Sequence, residues 1–282
     1  MQKTEITVLV ENTSACGLRC EHGLSLYIKY NGRAYLLDAG SSGLFLENAA
    51  ALSVDLREVK LCVLSHGHYD HANGFEPFLA KYPDIPVYAM RSYGGDHYSG
   101  AGGMHYIGVP DSLKTRFRDR FHLIDTVTEI APGVWLVPHT TPGLDQVGKR
   151  TRLFTKTGVS YTPDCFAHEM SLVFETEKGL VICSSCSHAG LLAILTEVSE
   201  AFPGQPLYAF FGGLHMKGSR KGEVTSLYSE EELQALVRAI APFGLQRIYT
   251  GHCTGAVAYA MLEDLLGDVL KPMQTGMRIV VG

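Results

Sequence analysis

The stretch Ser65-His66-Gly67-His68-Tyr69-Asp70-His71 decides how this 282-residue chain is read. Four metal-capable side chains fall within six residues, directly after the apolar run Lys60 to Leu64, which reads as a strand. Neutral imidazole and carboxylate are ligands that zinc, iron and manganese accept. This spacing lets one tight turn aim His66 and His68 at one ion and Asp70 and His71 at a second. A lone histidine is usually a satisfied surface or core residue, but packing gives no reason for four such side chains in this order.

Composition bounds what surrounds this loop. Hydrophobic content of 46% and charged content of 19% are those of a globular chain, with no linker, repeat or low-complexity tract to divide it. One domain over residues 1–282 is therefore expected. A net charge of -5 without a long Lys/Arg cluster argues against nucleic acid as the main partner. The N-terminus lacks the layout of a signal peptide, and no apolar run approaches the roughly 18 residues needed to cross a bilayer. Seven irregularly spaced cysteines fit a reducing compartment better than a disulfide framework. A soluble, cytoplasmic protein with no membrane partner is expected.

Short β-rich segments alternate with helical ones. Thr7 to Val10, Leu24 to Tyr30, Arg33 to Leu37 and Lys60 to Leu64 read as strands, and Asn31-Gly32 is a two-residue hairpin signal because both positions tolerate positive φ. The second half predicts a strand pair over Ser171 to Thr176 and Gly179 to Cys183, a helix from about Ala189, and strands at Leu207 to Phe211 and Arg247 to Thr250. Ser229 with Glu232 forms a capping box ahead of a core-facing helix. Two segments break the rhythm, about 92–110 and about 140–166. Their length predicts irregular covers, and the aromatics and histidines among the glycines of the first predict that it faces substrate.

The motif also names a family. His66, His68, Asp70 and His71 resemble the signature of the metallo-β-lactamase superfamily, and Asp38, ending Tyr35-Leu36-Leu37-Asp38, resembles the aspartate that buttresses its metal loop. Glu21-His22-Gly23-Leu24-Ser25, Cys186-Ser187-His188-Ala189-Gly190, Phe211-Gly212-Gly213-Leu214-His215 and His252-Cys253-Thr254-Gly255 look like one branch. It is the group around the dihydropterin-methyl-ribofuranosylaminobenzene-phosphate synthases, most of whose members are simply called metal-dependent hydrolases. The resemblance implies an α/β fold, an αββα sandwich of two packed mixed sheets with helices outside and metals in loops along one edge.

The first motif cannot complete two metal positions, so later residues must contribute. His252 follows an apolar strand, where the family places its last histidine. His188 matches the branch's own Cys-Ser-His motif. Most of the superfamily has a bridging aspartate here; this chain has Cys186 instead, either a ligand or a small core residue. Cys183 and Cys186 also have the spacing of a redox pair. His139 occupies roughly the place of a further family histidine, or caps a turn. His215, beyond Gly212-Gly213, stands at the site edge as a proton shuttle, a substrate contact or a hydrogen-bond partner of a ligand, and Glu169 is a candidate for supporting a ligand.

These residues predict a hydrolase for a small ester-type substrate, whether phosphoester, lactone or thioester. Its nucleophile would be hydroxide held on one of two divalent ions, zinc first and iron or manganese next, with Asp70 and His215 in the chemistry. Two alternatives remain. One is the branch's condensing reaction, for which Arg91, Lys114 and Arg116 with Tyr93 and Tyr98 would supply a phosphate clamp and an aromatic slot. The other is a sensor without catalysis, if the irregular segments seal the site.

Overall fold

The protein is described here by a computed structural model covering residues 3–220 and 222–282, the Arg220 side chain excepted. Along Ser25–Tyr30, Leu26, Ile28 and Tyr30 enter one apolar cluster while Tyr27 enters another, the period-two signature of a strand buried on both faces. Arg33–Leu37 behaves alike: Tyr35 and Leu37 face one way and Leu36 the other. Asn31 and Gly32 join these strands at φ of 49° and 72°, the positive values a type I′ turn requires.

Two seven-stranded sheets result. The first runs Arg278–Val281, Thr4–Val10, Ser25–Tyr30, Arg33–Leu37, Val59–Val63, Val87–Met90, Phe121–Ile124; its first four strands are antiparallel and the rest continue in parallel. The second runs Leu270–Pro272, Arg247–Thr250, Leu207–Phe211, Gly179–Cys183, Met170–Thr176, Val134–Pro138, Thr128–Ala131 and likewise combines a parallel with an antiparallel half.

Three apolar clusters separate four layers. Residues of both sheets meet in the middle one, where Leu26, Leu37 and Val63 share a core with Leu172, Phe174 and Phe211. Helices Leu44–Ala51 and Phe75–Lys81 cover the outer face of the first sheet through Phe45 and Phe78. Helices Leu191–Ala201, Glu230–Ile240 and Ala256–Leu266 cover the second through Ile194, Leu233 and Leu262. This is the αββα sandwich, and the capping box of Ser229 and Glu232 opens the middle of these three helices.

The segments expected to be irregular are instead paired with each other. His97–Ser99 and His105–Tyr106 from the first join Leu153–Thr157 and Ser160–Pro163 from the second in a four-stranded antiparallel sheet, with helix Leu144–Thr151 beside it. The pairing is non-local, and no single segment carries enough alternation to announce it. Ile107 of this cover accepts a hydrogen bond from Tyr69 N at 2.9 Å, which hitches the cover to the metal loop. Among the described residues no helix is long and apolar enough to cross a membrane.

Phe174 is fully buried between the sheets, with its ring 5.2 Å from that of Tyr30 and 5.7 Å from that of Tyr35. Phe174→Ala should therefore destabilise the fold by about 3–5 kcal/mol. Equilibrium denaturation measures this, and a loss under about 1 kcal/mol would mean that the two sheets do not depend on this contact.

Candidate metal centre

The 66–71 loop, Cys186, His188, His215 and His252 all leave the carboxyl ends of strands in the parallel halves, where open α/β sheets place their ligands. The first sheet contributes Asp38 after Arg33–Leu37 and the 66–71 loop after Val59–Val63. The second contributes Cys186 and His188 after Gly179–Cys183, His215 after Leu207–Phe211, and His252 after Arg247–Thr250. Asp38, Ser187, His215 and His252 have φ of 57°, 57°, 46° and 48°, four of the eight positive values among non-glycine residues described. Backbone strain is thus concentrated in these loops.

Hydrogen bonds fix which ring nitrogen each histidine presents. Asp38 is fully buried and accepts from Ser65 N at 2.8 Å, Ser65 Oγ at 2.7 Å and His71 Nδ1 at 2.7 Å. Because the Ser65 hydroxyl gives its only proton to Asp38, it must accept from His66 Nδ1 at 2.8 Å. His66 and His71 are therefore both left with an Nε2 lone pair directed inward. His252 is set by Asn12, whose Oδ1 lies 3.0 Å from Nδ1, and by Glu11, which accepts from His252 N. Glu169 accepts from the N–H groups of His188 and Ala189, both at 2.8 Å, and so holds the third loop.

Two donor sets follow. His66, His68 and His188 form one, and Nε2 of His66, Nε2 of His68 and both ring nitrogens of His188 are buried without a hydrogen-bond partner among the described residues. Burial, reinforced by the neighbouring imidazoles, lowers all three pKa values well below the ordinary range, so these rings are neutral donors at pH 7. In the other set, Asp70 Oδ2 lies 3.4 Å from Nε2 of both His71 and His252, and those two nitrogens are 3.2 Å apart. Ligands on a tetrahedral ion with bonds of about 2.0–2.1 Å stand roughly 3.3 Å apart, so these separations fit a divalent metal. Without one, burial disfavours the His71 imidazolium, but Asp70 and Asp38 outweigh it and raise its pKa to about 10. Cys186 Sγ is 3.2 Å from His71 Nε2 and groups with His66, which places it between the sets.

The sequence and the structure both match known proteins. Residues 18–155 match the family described as the metallo-beta-lactamase superfamily. A solved metal-dependent hydrolase of the beta-lactamase superfamily superposes with a TM-score of 0.81 and 27% identity, covering 99% of each chain. Both of these matches lie in the metallo-β-lactamase superfamily. Two proteins of Methanocaldococcus jannaschii are similar over 270 residues. One, 23% identical over 91% of this chain and 88% of its own, is named a 7,8-dihydropterin-6-methyl-4-(beta-D-ribofuranosyl)-aminobenzene-5'-phosphate synthase. The other is an uncharacterized protein, 27% identical over 92% of this chain and 94% of its own.

Within this superfamily fold, His139 stands apart from the donor sets. Its Nδ1 pairs with Glu197 at 2.7 Å and its Nε2 with Ser171 Oγ at 2.9 Å, so neither nitrogen is available. The Cys183–Cys186 pairing also gives way: Cys183 lies in the inter-sheet core, whereas Cys186 groups with His215 and Cys253. The cations expected as a phosphate clamp point elsewhere. Arg91 pairs with Asp125 at 2.6 Å, Lys114 with Asp111 at 2.9 Å, and Arg116 lies over Phe117. Tyr93 is buried flat against Phe121, while Tyr98 packs on Tyr106 and Tyr161 in the cover.

Sequence reasoning passed over two contributors. His22, inside the quoted Glu21-His22-Gly23 motif, places Nε2 3.3 Å from Asp70 Oδ2 and stacks on His252. Its position ahead of a strand was the only signal. The other is a strut of Asp164, His97 and His168. Gly67 N donates to His168 Nδ1 at 2.9 Å, so the ring proton lies on Nε2 and goes to Asp164 at 3.2 Å; Asp164 also accepts from His97 Nδ1 at 2.9 Å. With both nitrogens committed, His168 supports the loop and offers no lone pair. Gly67 must be glycine here, since a Cβ would stand 2.4 Å from Tyr93 O.

Asp164→Asn should release the His168 tautomer and weaken metal binding about 10- to 100-fold, the usual cost of losing a partner behind a ligand. Chelator competition measures it. Unchanged affinity would show that the strut does not hold the metal loop.

Proposed function

We propose that this protein is a metal-dependent hydrolase acting on a small ester-type substrate, with two divalent ions, zinc first, held by His66, His68 and His188 and by Asp70, His71 and His252. The observation that carries this reading is the convergence of both donor sets on the floor of one open cleft. The cleft has a volume of about 220 Å³, and Asp70, His188, His215 and His252 line it. Cys186 sits where it would touch both positions.

When bound, the ions would polarise the attacked oxygen and lower the pKa of a coordinated water to about 7. The protein's own groups do the rest. Asp70, which His71 and His252 hold well below the usual carboxylate range against the effect of burial, brings a negative charge that keeps the second position cationic overall but tightly bound. His215, half-buried with its Nδ1 unpartnered among the described residues and its ring 4.2 Å from that of His188, is placed to take or give a proton at the cleft edge. Ser99, His105 and Ile107 of the cover form the facing wall and limit water and substrate size.

The open cleft argues against a sealed sensor. For the condensing reaction suggested by the name of the 23% identical relative, Arg91 and Lys114 supply no phosphate clamp, because each is paired with an aspartate outside the cleft. All seven cysteines are free, which supports a reducing, cytoplasmic setting.

Purified protein should carry about two transition-metal ions per chain by elemental analysis, and His188→Ala or His252→Ala should each lose one ion or most of its affinity while remaining folded. On a panel of small phosphoesters, lactones and thioesters, chelation should abolish turnover and zinc restore it. Asp70→Ala should be inactive. His215→Ala should keep its metal and lose roughly two to four orders of magnitude in rate. Full activity of Asp70→Ala, or less than about half an ion per chain after reconstitution, would sink the two-metal reading.

A further inference from the structure

The metal cleft is small for a small-molecule site. At about 220 Å³ it lies below the roughly 300 Å³ at which small-molecule sites usually begin, so it holds the reacting group and little else. A second cavity of about 440 Å³ adjoins it, and the two share His252 and Lys217 as common walls. The second compartment is largely apolar, lined by Val224, Ala256, Tyr259 and Met273. Its one buried acid is spoken for: Glu11 accepts from Thr13 N, Thr13 Oγ1 and His252 N.

Lys217 marks the junction. Its side chain is exposed and makes no ion pair among the described residues, unlike Arg91, Lys114 and Arg150. Its stem is held against the backbone at Gly255, where an added Cβ would come within 2.9 Å of Lys217 Cβ. The base of the side chain is therefore fixed beside both compartments, and among the described residues no carboxylate pairs with its ammonium. An unpaired cation between a metal cleft and an apolar hollow matches a bipartite ligand.

We propose that the compartment beyond His252 is the subsite for an aromatic or apolar leaving group, and that Lys217 is a specificity-determining residue that selects substrates whose reacting group is anionic, as in an aryl phosphoester. This deepens the hydrolase reading and rests on it for the metal positions. It assigns no chemical step to Lys217, only charge complementarity at the mouth.

Binding of phosphonates, whose carbon–phosphorus bond the protein would not hydrolyse, tests the subsite without turnover. Phenylphosphonate and methylphosphonate are titrated calorimetrically into zinc-loaded protein, with zinc content measured on the same samples. Phenylphosphonate should bind at least about tenfold more tightly, the worth of burying one ring. Ala256→Trp, which fills the hollow, and Val224→Asp, which charges it, should each erase that preference while leaving methylphosphonate affinity within about twofold. Lys217→Ala should weaken both ligands about tenfold and Lys217→Arg should restore most of it. Equal affinities in the unaltered protein, or a preference that survives both Ala256→Trp and Val224→Asp, would overturn the subsite. An effect of Lys217→Ala on neither ligand would overturn the role of the lysine. Protein that takes up no zinc would instead overturn the metal reading beneath it.

Discussion

The carboxylate of Asp38 is the constraint on which the site rests. A fully buried charge costs several kcal/mol unless it is matched, and here Ser65 N, Ser65 Oγ and His71 Nδ1 match it. The arrangement does more than neutralise Asp38. By taking the Ser65 proton and the His71 proton, it dictates the tautomers of His66 and His71, so that both rings offer an Nε2 lone pair to the same interior space. One side chain at the end of one strand thus orients a ligand in each donor set.

The lone pairs are costly where they lie. Several imidazole nitrogens, on His66, His68 and His188, are buried without a partner among the described residues. Such an arrangement persists only when the surroundings over-determine it. The three apolar layers supply that rigidity from outside the site, and Glu11, Glu169 and Asp164 supply it from directly beneath the loops. The donors are consequently preorganised by the fold, and a divalent ion is the kind of group that would satisfy them.

The cover decides what reaches them. Its four-stranded sheet leans on the metal loop through Tyr69 and Ile107 and through the bridge of His68 with Gly108, leaving a cleft floored by histidines and walled by Ser99 and His105. An apolar hollow lies on the far side of His252, and an exposed lysine, Lys217, stands at the junction. The candidate ligands sit on the rigid sheet edges, while the cover and the hairpin that carries Lys217 form the walls around them.

Much of this was legible in the amino-acid sequence, and the boundary has a physical cause. The metal loop is written in six consecutive residues because the ligands of one tight turn must be close in sequence. The strands that deliver Asp38 and His188 are visible because burial on both faces leaves an apolar run, Ala34 to Leu37 and Leu180 to Cys183. Tertiary structure alone decided the rest. It turned His139 toward Glu197, moved Cys186 from Cys183 to Cys253, brought His22 to Asp70, and set Asp164 beneath a glycine 97 residues away through His168. Local spacing records what a single turn or strand must satisfy. Which nitrogen is occupied, and by what, depends on contacts between distant segments, and no local period encodes them.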